Sequence, residues 1–412
     1  MTDNTKSPFL SKKLSPINGI EPLLRFRGFK GNLPQIKLSK LFHKCIQKNK
    51  DGSITNVICN SAKNGLLPQR DFFDKDIANS ENTTGYYIIK NHDFVYNPRK
   101  SNEAPYGPVS TYKYAEDGIV SPLYLCFRAI APLCTDYFEM YFKSSAWHRY
   151  IYLMGDSGAR HDRVSIKDEV FFDMPVRTPS LPEQQKIADF LSLVDLRIEK
   201  QRQLVESLKK YKRGLFLKLY DDSEKVIISF KDIYKIASEG GTPSTLDPEN
   251  YKNGKLPFIK IDDLNRHYLT SAKCFITEKG LKKSSAWIVP ENSIIYSNGA
   301  TIGACSINKI PVTTKQGILG IVPKTNFSAE FLYFFFTSSI FKQKIRAITT
   351  KGTMDCAYLK DINDIKVSVP NFITQQNIAQ VMVYFENLIE HIDFNLIYLQ
   401  NIKKGLLQQM FI

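Results

Sequence analysis

The feature that most constrains this chain is a long element that occurs twice, its copies 191 residues apart (Gln375 minus Gln184). The first begins LPEQQKIADFL at residues 181–191 and the second NFITQQNIAQV at 371–381. Gln184, Gln185, Ile187 and Ala188 match Gln375, Gln376, Ile378 and Ala379. The same offset carries Ile198, Glu199, Leu208, Lys212, Gly214 and Leu215 onto Ile389, Glu390, Leu399, Lys403, Gly405 and Leu406. A repeat this long is one structural unit used twice. Ile187, Leu191, Val194, Ile198, Gln201, Val205, Leu208, Lys212 and Leu215 recur in steps of four and three. Ile378, Met382, Phe385, Ile389, Ile392, Leu396, Leu399, Lys403 and Leu406 repeat those steps. The spacing predicts a heptad seam on a long helix. Pro182 and Pro370 mark the starts, where proline is tolerated. About 37 residues at about 1.5 Å each make a rod of about 55 Å, longer than a helix lying on its own domain needs. Two matching seams in one chain can satisfy each other, so an antiparallel intramolecular coiled coil of residues 181–220 and 371–412 is expected.

Between and before these helices the chain changes character. Residues 226–370 are rich in Gly, Pro, Thr, Ile and aromatics, with β-type runs LPFIKI, SIIYSN and GILGIV between turn residues. Residues 32–180 echo them: GYYIIKNHDFVYNP (85–98) is similar to SSAWIVPENSIIYSN (284–298), and SIKDEVFFDMPV (165–176) to YLKDINDIKV (358–367). The repeat unit is therefore a domain plus a helix. After a lead-in of residues 1–31, the expected fold is α+β, with two pseudo-repeated mixed α/β domains separated by two long helices.

At 412 residues the chain exceeds one domain, and 43% hydrophobic with 24% charged residues reads as globular. Its 56 Lys plus Arg against 41 Asp plus Glu give a net charge of +15, which suits a polyanion, nucleic acid first. No run of about 18 apolar residues occurs, and MTDNTKSPFLSKK lacks a signal-peptide core, so a cytoplasmic protein is expected. Seven cysteines without a CxxC pair, and six scattered histidines without HExxH, indicate neither a disulfide framework nor a metal site.

Catalytic readings fare poorly. GDSG at 155–158 matches a serine-protease nucleophile loop, with FHKC at 42–45 as the histidine motif. Ala159 and Arg160 replace the residues that usually follow, no third member stands out, and a glycine turn matching TKGTM (350–354) explains the stretch better. No Pro-Pro pair exists to hold a flipped base, no Pro-Asp dipeptide suggests a nuclease, and no Walker loop suggests a translocase. Asp262 and Asp263 read as turn or capping groups.

The order domain, helix, domain, helix resembles the specificity (S) subunit of type I restriction-modification systems. The matching stretches are EGGTPSTLDPENYKNGKLPFIKIDDL (239–264), EKGLKKSSAWIVPENSIIYSNGATIGACSI (278–307), TTKQ (313–316), VSVPNFITQQNIA (367–379), VRTPSLPEQQKIA (176–188) and LLRFRGFKGN (23–32). The first domain lacks GGTPS. The resemblance implies two target-recognition domains, each reading half of a bipartite double-stranded DNA site, and a chain without catalysis of its own. It also implies that two methyltransferase (modification) subunits dock on the helices, that restriction/translocase subunits join them, and that S-adenosylmethionine, ATP and Mg2+ bind those partners. Antiparallel helices would set the unread gap between half-sites, acting as a ruler. A self-contained DNA-modifying enzyme, or a coiled-coil adaptor without DNA specificity, is the alternative.

DNA readers use basic and polar side chains on loops. The candidates are Arg99, Lys100, Arg160, His161 and Arg163 in the first domain, and Lys260, Asn298, Thr301, Thr314, Lys315, Gln316 and Lys351 in the second. Apolar residues beside the seam, Phe190, Leu193, Leu196, Leu204, Tyr384, Leu388 and Ile397, are expected to form surface kept for partners.

Overall fold

A computed structural model of the chain describes residues 9–11, 21–72, 83–155, 162–264, 266–350 and 355–412. Two compact units emerge, Met1–Gln201 with Asn395–Ile412, and Arg202–Phe394. The division falls inside two long helices, Leu181–Asp221 of 41 residues and Phe372–Met410 of 39, so each unit holds one end of each.

In the first unit an antiparallel sheet runs Phe42–Lys44, Leu125–Ala129, Phe94–Tyr96, Val109–Thr111. Successive strand residues face opposite sides, and that alternation divides the core. Phe94, Tyr96 and Phe127 join Phe42, Phe138, Phe142, Trp147 and Phe171 under the helix Thr135–Lys143. Val95 and Cys126, one residue along, join Ile58, Tyr112 and Val120 on the other face.

The second unit repeats this logic on a larger sheet, ordered Tyr234–Glu239, Ile318–Pro323, Ile294–Ser297, Cys305–Asn308, Tyr268–Leu269, with only the last pair parallel. Ile294 and Tyr296 pack under the helix Ala329–Thr337 with Phe331, Phe335 and Phe336, while Ile295 faces Ile259, Val289 and Val312. The echo between 85–98 and 284–298 is thus one turn and one central strand. His92 (φ 69°) and Asn292 (φ 59°) take the same left-handed turn two residues before it. In each unit the strand leading into the long helix pairs antiparallel with a strand from near the start of the recognition domain, Pro175–Arg177 with Gln35–Lys37 and Lys366–Pro370 with Lys225–Ser229.

The helices pair antiparallel in both units. In the first, Ile187, Ala188 and Leu191 share a core with Leu407, Met410 and Phe411, and Asp195 pairs with Lys403. In the second, Phe216 and Tyr220 share a core with Ile378, Ala379 and Met382, Val205 meets Ile389 and Ile392, and Lys212 pairs with Glu386. Lys212 and Lys403 are 191 apart, as are Asp195 and Glu386. One contact is therefore made twice with its partners exchanged, as in a self-complementary twofold interface. This is the physical reason the element occurs twice. The seam residues Ile187, Leu191, Ile198, Val205, Ile378, Met382, Ile389 and Ile392 are buried; Val194, Leu208, Phe385, Leu396 and Leu399 are half-buried.

The repeated glutamines fasten helix to domain. Gln184 Nε2 donates to the Pro179 carbonyl (2.9 Å), and its Oε1 accepts from the backbone N–H of Cys134, the residue before the helix Thr135–Lys143 (3.0 Å). Gln375 donates to Pro370 (2.9 Å) and accepts from Ser328, the residue before Ala329–Thr337 (3.0 Å). Both amides are buried, and each takes up an N–H that a helix start leaves without an intrahelical acceptor.

Candidate nucleic-acid interface

The sequence-derived contact residues gather where two loops meet in each unit. In the first, the segment after the central strand crosses residues 162–164: Lys100 N–H donates to Asp162 O and Val164 N–H to Pro98 O, both at 2.9 Å. This places Arg99, Lys100 and Arg163 together, with the Asp162 carboxylate 3.8 Å from both Arg99 and Arg163. In the second, Ala300 N–H donates to Asp355 O (3.2 Å) and Ala357 N–H to Asn298 O (2.8 Å). The same loop crossing is thus built twice from different side chains. Arg160 and His161, and Lys351, lie outside the described residues.

More loops converge in the second unit. Lys315 N–H donates to Ile259 O (3.0 Å), bringing Lys315 beside exposed Lys260; Gln316 N–H donates to Thr242 Oγ1 (3.3 Å); Gly317 N–H donates to Glu239 Oε1 (2.7 Å) and its carbonyl accepts from Asn298 N–H (3.1 Å). Thr301 is exposed on the adjoining turn, which Gly303 N–H closes onto Ser297 O (2.9 Å). The GGTPS stretch explains the convergence. A Cβ on Gly240 would lie 2.1 Å from Thr314 O, and one on Gly241 would lie 2.4 Å from Ala286 N, so only glycine lets this backbone pass so close.

Two candidates are corrected. Asn298 and Thr314 are fully buried; Asn298 Nδ2 donates to Ala357 O (3.1 Å) and Thr314 Oγ1 to Ile318 O (3.2 Å). Their side chains brace the loops from inside and offer no edge to a ligand. Lys260, Thr301, Lys315 and Gln316, with Arg99 and Lys100, are exposed, and Arg163 is half-buried. Glu239 and Thr242 went unnoticed in the sequence although both sit in or beside the GGTPS stretch. Asp263 accepts from Lys260 N–H (2.9 Å), a capping role as expected. Burial, and then the Glu239 charge, push the Cys356 thiol above its ordinary value, and burial does the same to the Tyr124 hydroxyl beside Arg99. Both groups are held neutral, so neither is an activated nucleophile. Among the described residues no group of three or more His, Cys, Asp or Glu side chains is placed to hold a metal ion.

Residues 34–210 and 222–397 each match the family described as the type I restriction modification DNA specificity domain. The chain belongs to that family. A 164-residue stretch is 34% identical to the type I restriction enzyme MjaIX specificity subunit of Methanocaldococcus jannaschii, covering 39% of this chain and 38% of that protein; the chain thus spans well under half of that relative's length. The fold is shared with the S subunit of a type I restriction-modification system from M. genitalium (TM-score 0.52, 17% identity, 98% of this chain and 99% of that one). It is also shared with a chain from a structure on complex assembly and conformational transition of the type I R-M system (TM-score 0.60, 12% identity, 93% and 99%).

A second kind of surface runs along the helices. Leu193 (65% exposed), Leu204 and Tyr211 line one face of the first, and Tyr384 (66%), Tyr398 and Ile402 line the second. Leu193 and Tyr384 are 191 apart, as are Tyr211 and Ile402, so the repeat carries these two positions of the stripe, whereas Leu204 matches Asn395 and Tyr398 matches Ser207. Leu196 and Ile397 are exposed too. Phe190 and Leu388 are half-buried instead, Phe190 against Phe26 (ring centroids 5.6 Å) and Leu388 against the Val205 cluster. Among the described residues no helix is long and apolar enough to cross a membrane.

Proposed function

We propose that this chain is the DNA sequence-specificity subunit of a type I restriction-modification enzyme, working in the cytoplasm. Each recognition unit reads one half of a bipartite site through its crossed loops, with Arg99, Lys100 and Arg163 in the first and Lys260, Thr301, Lys315 and Gln316 in the second. Arg160, His161 and Lys351 belong to the same two groups by sequence position. Cations on these loops hold phosphates, while the polar side chains and arginines are suited to base edges. The chain performs no chemistry. Two methyltransferase subunits dock on the apolar stripes, one for each copy of the repeat, and bring S-adenosylmethionine; restriction/translocase subunits bring the ATP and Mg2+ steps.

The observation that carries this reading is the loop crossing built twice on one framework with different side chains. Two equivalent surfaces of unlike chemistry suit a site whose halves differ in sequence. The paired helices set the unread gap, because their length is the one dimension both repeats share.

The test is the methylated motif in cells that also hold the partner subunits. Replacing residues 32–180 by another member's first recognition domain is expected to change one half-site and leave the gap unchanged. Inserting four residues into each helix, near Gln201 and near Ile392, adds about 6 Å of rise, equivalent to about two base pairs at about 3.4 Å each. The half-sites are expected to persist while the gap lengthens by about one or two pairs, allowing for bending of the DNA. An unaltered gap would refute the ruler. A domain exchange that changed neither half-site would refute recognition by the loops.

A further inference from the structure

A pocket of about 340 Å³ opens in the second unit between the helix Leu181–Asp221 and the start of the helix Ser339–Ile348. Lys209, Lys212 and Arg213 line it with Phe216, Phe334 and Met382, and no acidic side chain is among its lining residues. Lys212 is held in place by Glu386 and lies over the Phe334 ring (5.8 Å), and Lys209 is held by Asp393 (3.5 Å). Fixed cations above an apolar floor fit a ligand that is anionic at one end and flat and apolar at the other. The volume lies at the small end of the range for such ligands, roughly 300–1,000 Å³. Lys and Arg together suit a phosphate, which accepts several charge-assisted hydrogen bonds at once.

The internal repeat separates this pocket from the surfaces that serve both copies. A site for a partner that docks on each repeat would be conserved across the 191-residue offset, as the Leu193/Tyr384 and Tyr211/Ile402 positions of the apolar stripe are. Here Lys209 becomes Gln400, Phe216 becomes Leu407 and Leu217, also in the lining, becomes Gln408. Lys212 and Arg213 keep cationic counterparts in Lys403 and Lys404, but the third cation, Lys209, and the flat ring of Phe216 have none. We infer that this pocket binds a small organic phosphate with a flat ring system, the nucleotide class, at a single site per chain and apart from the DNA-reading loops.

The experiment uses the full chain and N-methylanthraniloyl-ADP as a fluorescent probe, displaced by AMP, adenosine or inorganic phosphate. Saturable binding is expected, with one site per chain. AMP should compete at least about tenfold better than either adenosine or phosphate, because each of those fills only half of the pocket. Lys209→Gln with Arg213→Gln should weaken the probe by about tenfold or more. Lys218→Gln, exposed on the same helix outside the pocket, should leave it unchanged. All three substitutions lie on an exposed or half-buried helix face, and an unaltered helical circular dichroism signal verifies the fold. Absence of saturable binding at millimolar probe, equal competition by phosphate and AMP, or a double variant that binds like the parent would each overturn the inference. Half-site selection by the double variant, read separately, is expected to be unaltered, so failure here leaves the DNA-recognition reading standing.

Discussion

The two recognition units use one framework and differ in what is placed on it. Gln184 and Gln375 make the same pair of hydrogen bonds, and the ion pairs of Lys403 and Lys212 are one contact made twice. At the loop crossing, however, Arg99 and Lys100 stand where the second unit has Gly299 and Ala300, and the second unit gains Lys260, Lys315 and Gln316 from loops that GGTPS lets approach. Contacts that hold helix to domain admit few alternatives, since a buried amide needs both its partners. Exposed loop residues are constrained only by what they bind. The difference teaches that specificity can diverge between the halves while the scaffold remains self-complementary.

The first unit also has a support that the second lacks. Arg25 donates through Nε and Nη2 to the buried Glu183 carboxylate at 2.7 and 2.8 Å, whereas Thr374 occupies the matching place in the second copy. Arg25→Ala strands that buried charge and is expected to cost the first unit about 3–5 kcal/mol. Hydrogen exchange read peptide by peptide should show loss of protection across residues 133–191 with little change in 328–382. Equal loss in both would break the comparison. Pairing Arg25→Leu with Glu183→Met should restore much of the protection, because the uncompensated charge is then gone.

The glutamine clamps come next. Gln184→Ala and Gln375→Ala each leave a backbone N–H and a carbonyl without partners, at about 1–3 kcal/mol apiece. Each is expected to loosen only its own unit, by similar amounts, in urea unfolding followed by exchange. A much larger effect at one site would mean that the clamps, though identical in geometry, do not carry equal weight.

The smallest expected difference is in pH dependence. Burial lowers the tendency of His148, in the first unit, to take up a proton, so its folded value lies below the ordinary 6.5. The unfolded chain then binds more protons, and that contribution is present above about 6.5 and is lost as pH falls below it. Burial works to raise Glu330 in the second unit, but the His267 hydrogen bond and the Lys309 charge outweigh it and leave the carboxyl below its ordinary 4.5. Its contribution is lost only below about 4.5. On acidification, opening of residues 135–155 is therefore expected to increase before that of residues 328–340. The reverse order in pH-dependent exchange would show that other groups dominate.

Much of this architecture was legible in the sequence because periodic patterns report directly on faces. Steps of four and three placed the seam from Ile187 to Leu208 and from Ile378 to Leu399, and an equal offset in both seams implied that they pair with each other. The echo of 85–98 in 284–298 is one strand seen twice. Individual binding residues were less legible, because polarity does not reveal depth. Asn298 and Thr314 have the composition of a reading loop, yet backbone carbonyls of Ala357 and Ile318, distant or masked by a turn in the sequence, take up their donors.

By itself the sequence determined the long-range plan: two domains, two helices and their antiparallel seam. Hydrophobic period and repeat offset are properties of chain order, and burial of an apolar stripe leaves few ways to satisfy them. Only the tertiary structure decided which polar groups face outward, how residues 98–100 cross 162–164 as 298–300 cross 355–357, and where Lys209, Lys212 and Arg213 meet an apolar floor. Those outcomes depend on which backbone N–H and carbonyl groups find partners from far along the chain, a matter of satisfying buried hydrogen bonds that no local pattern encodes.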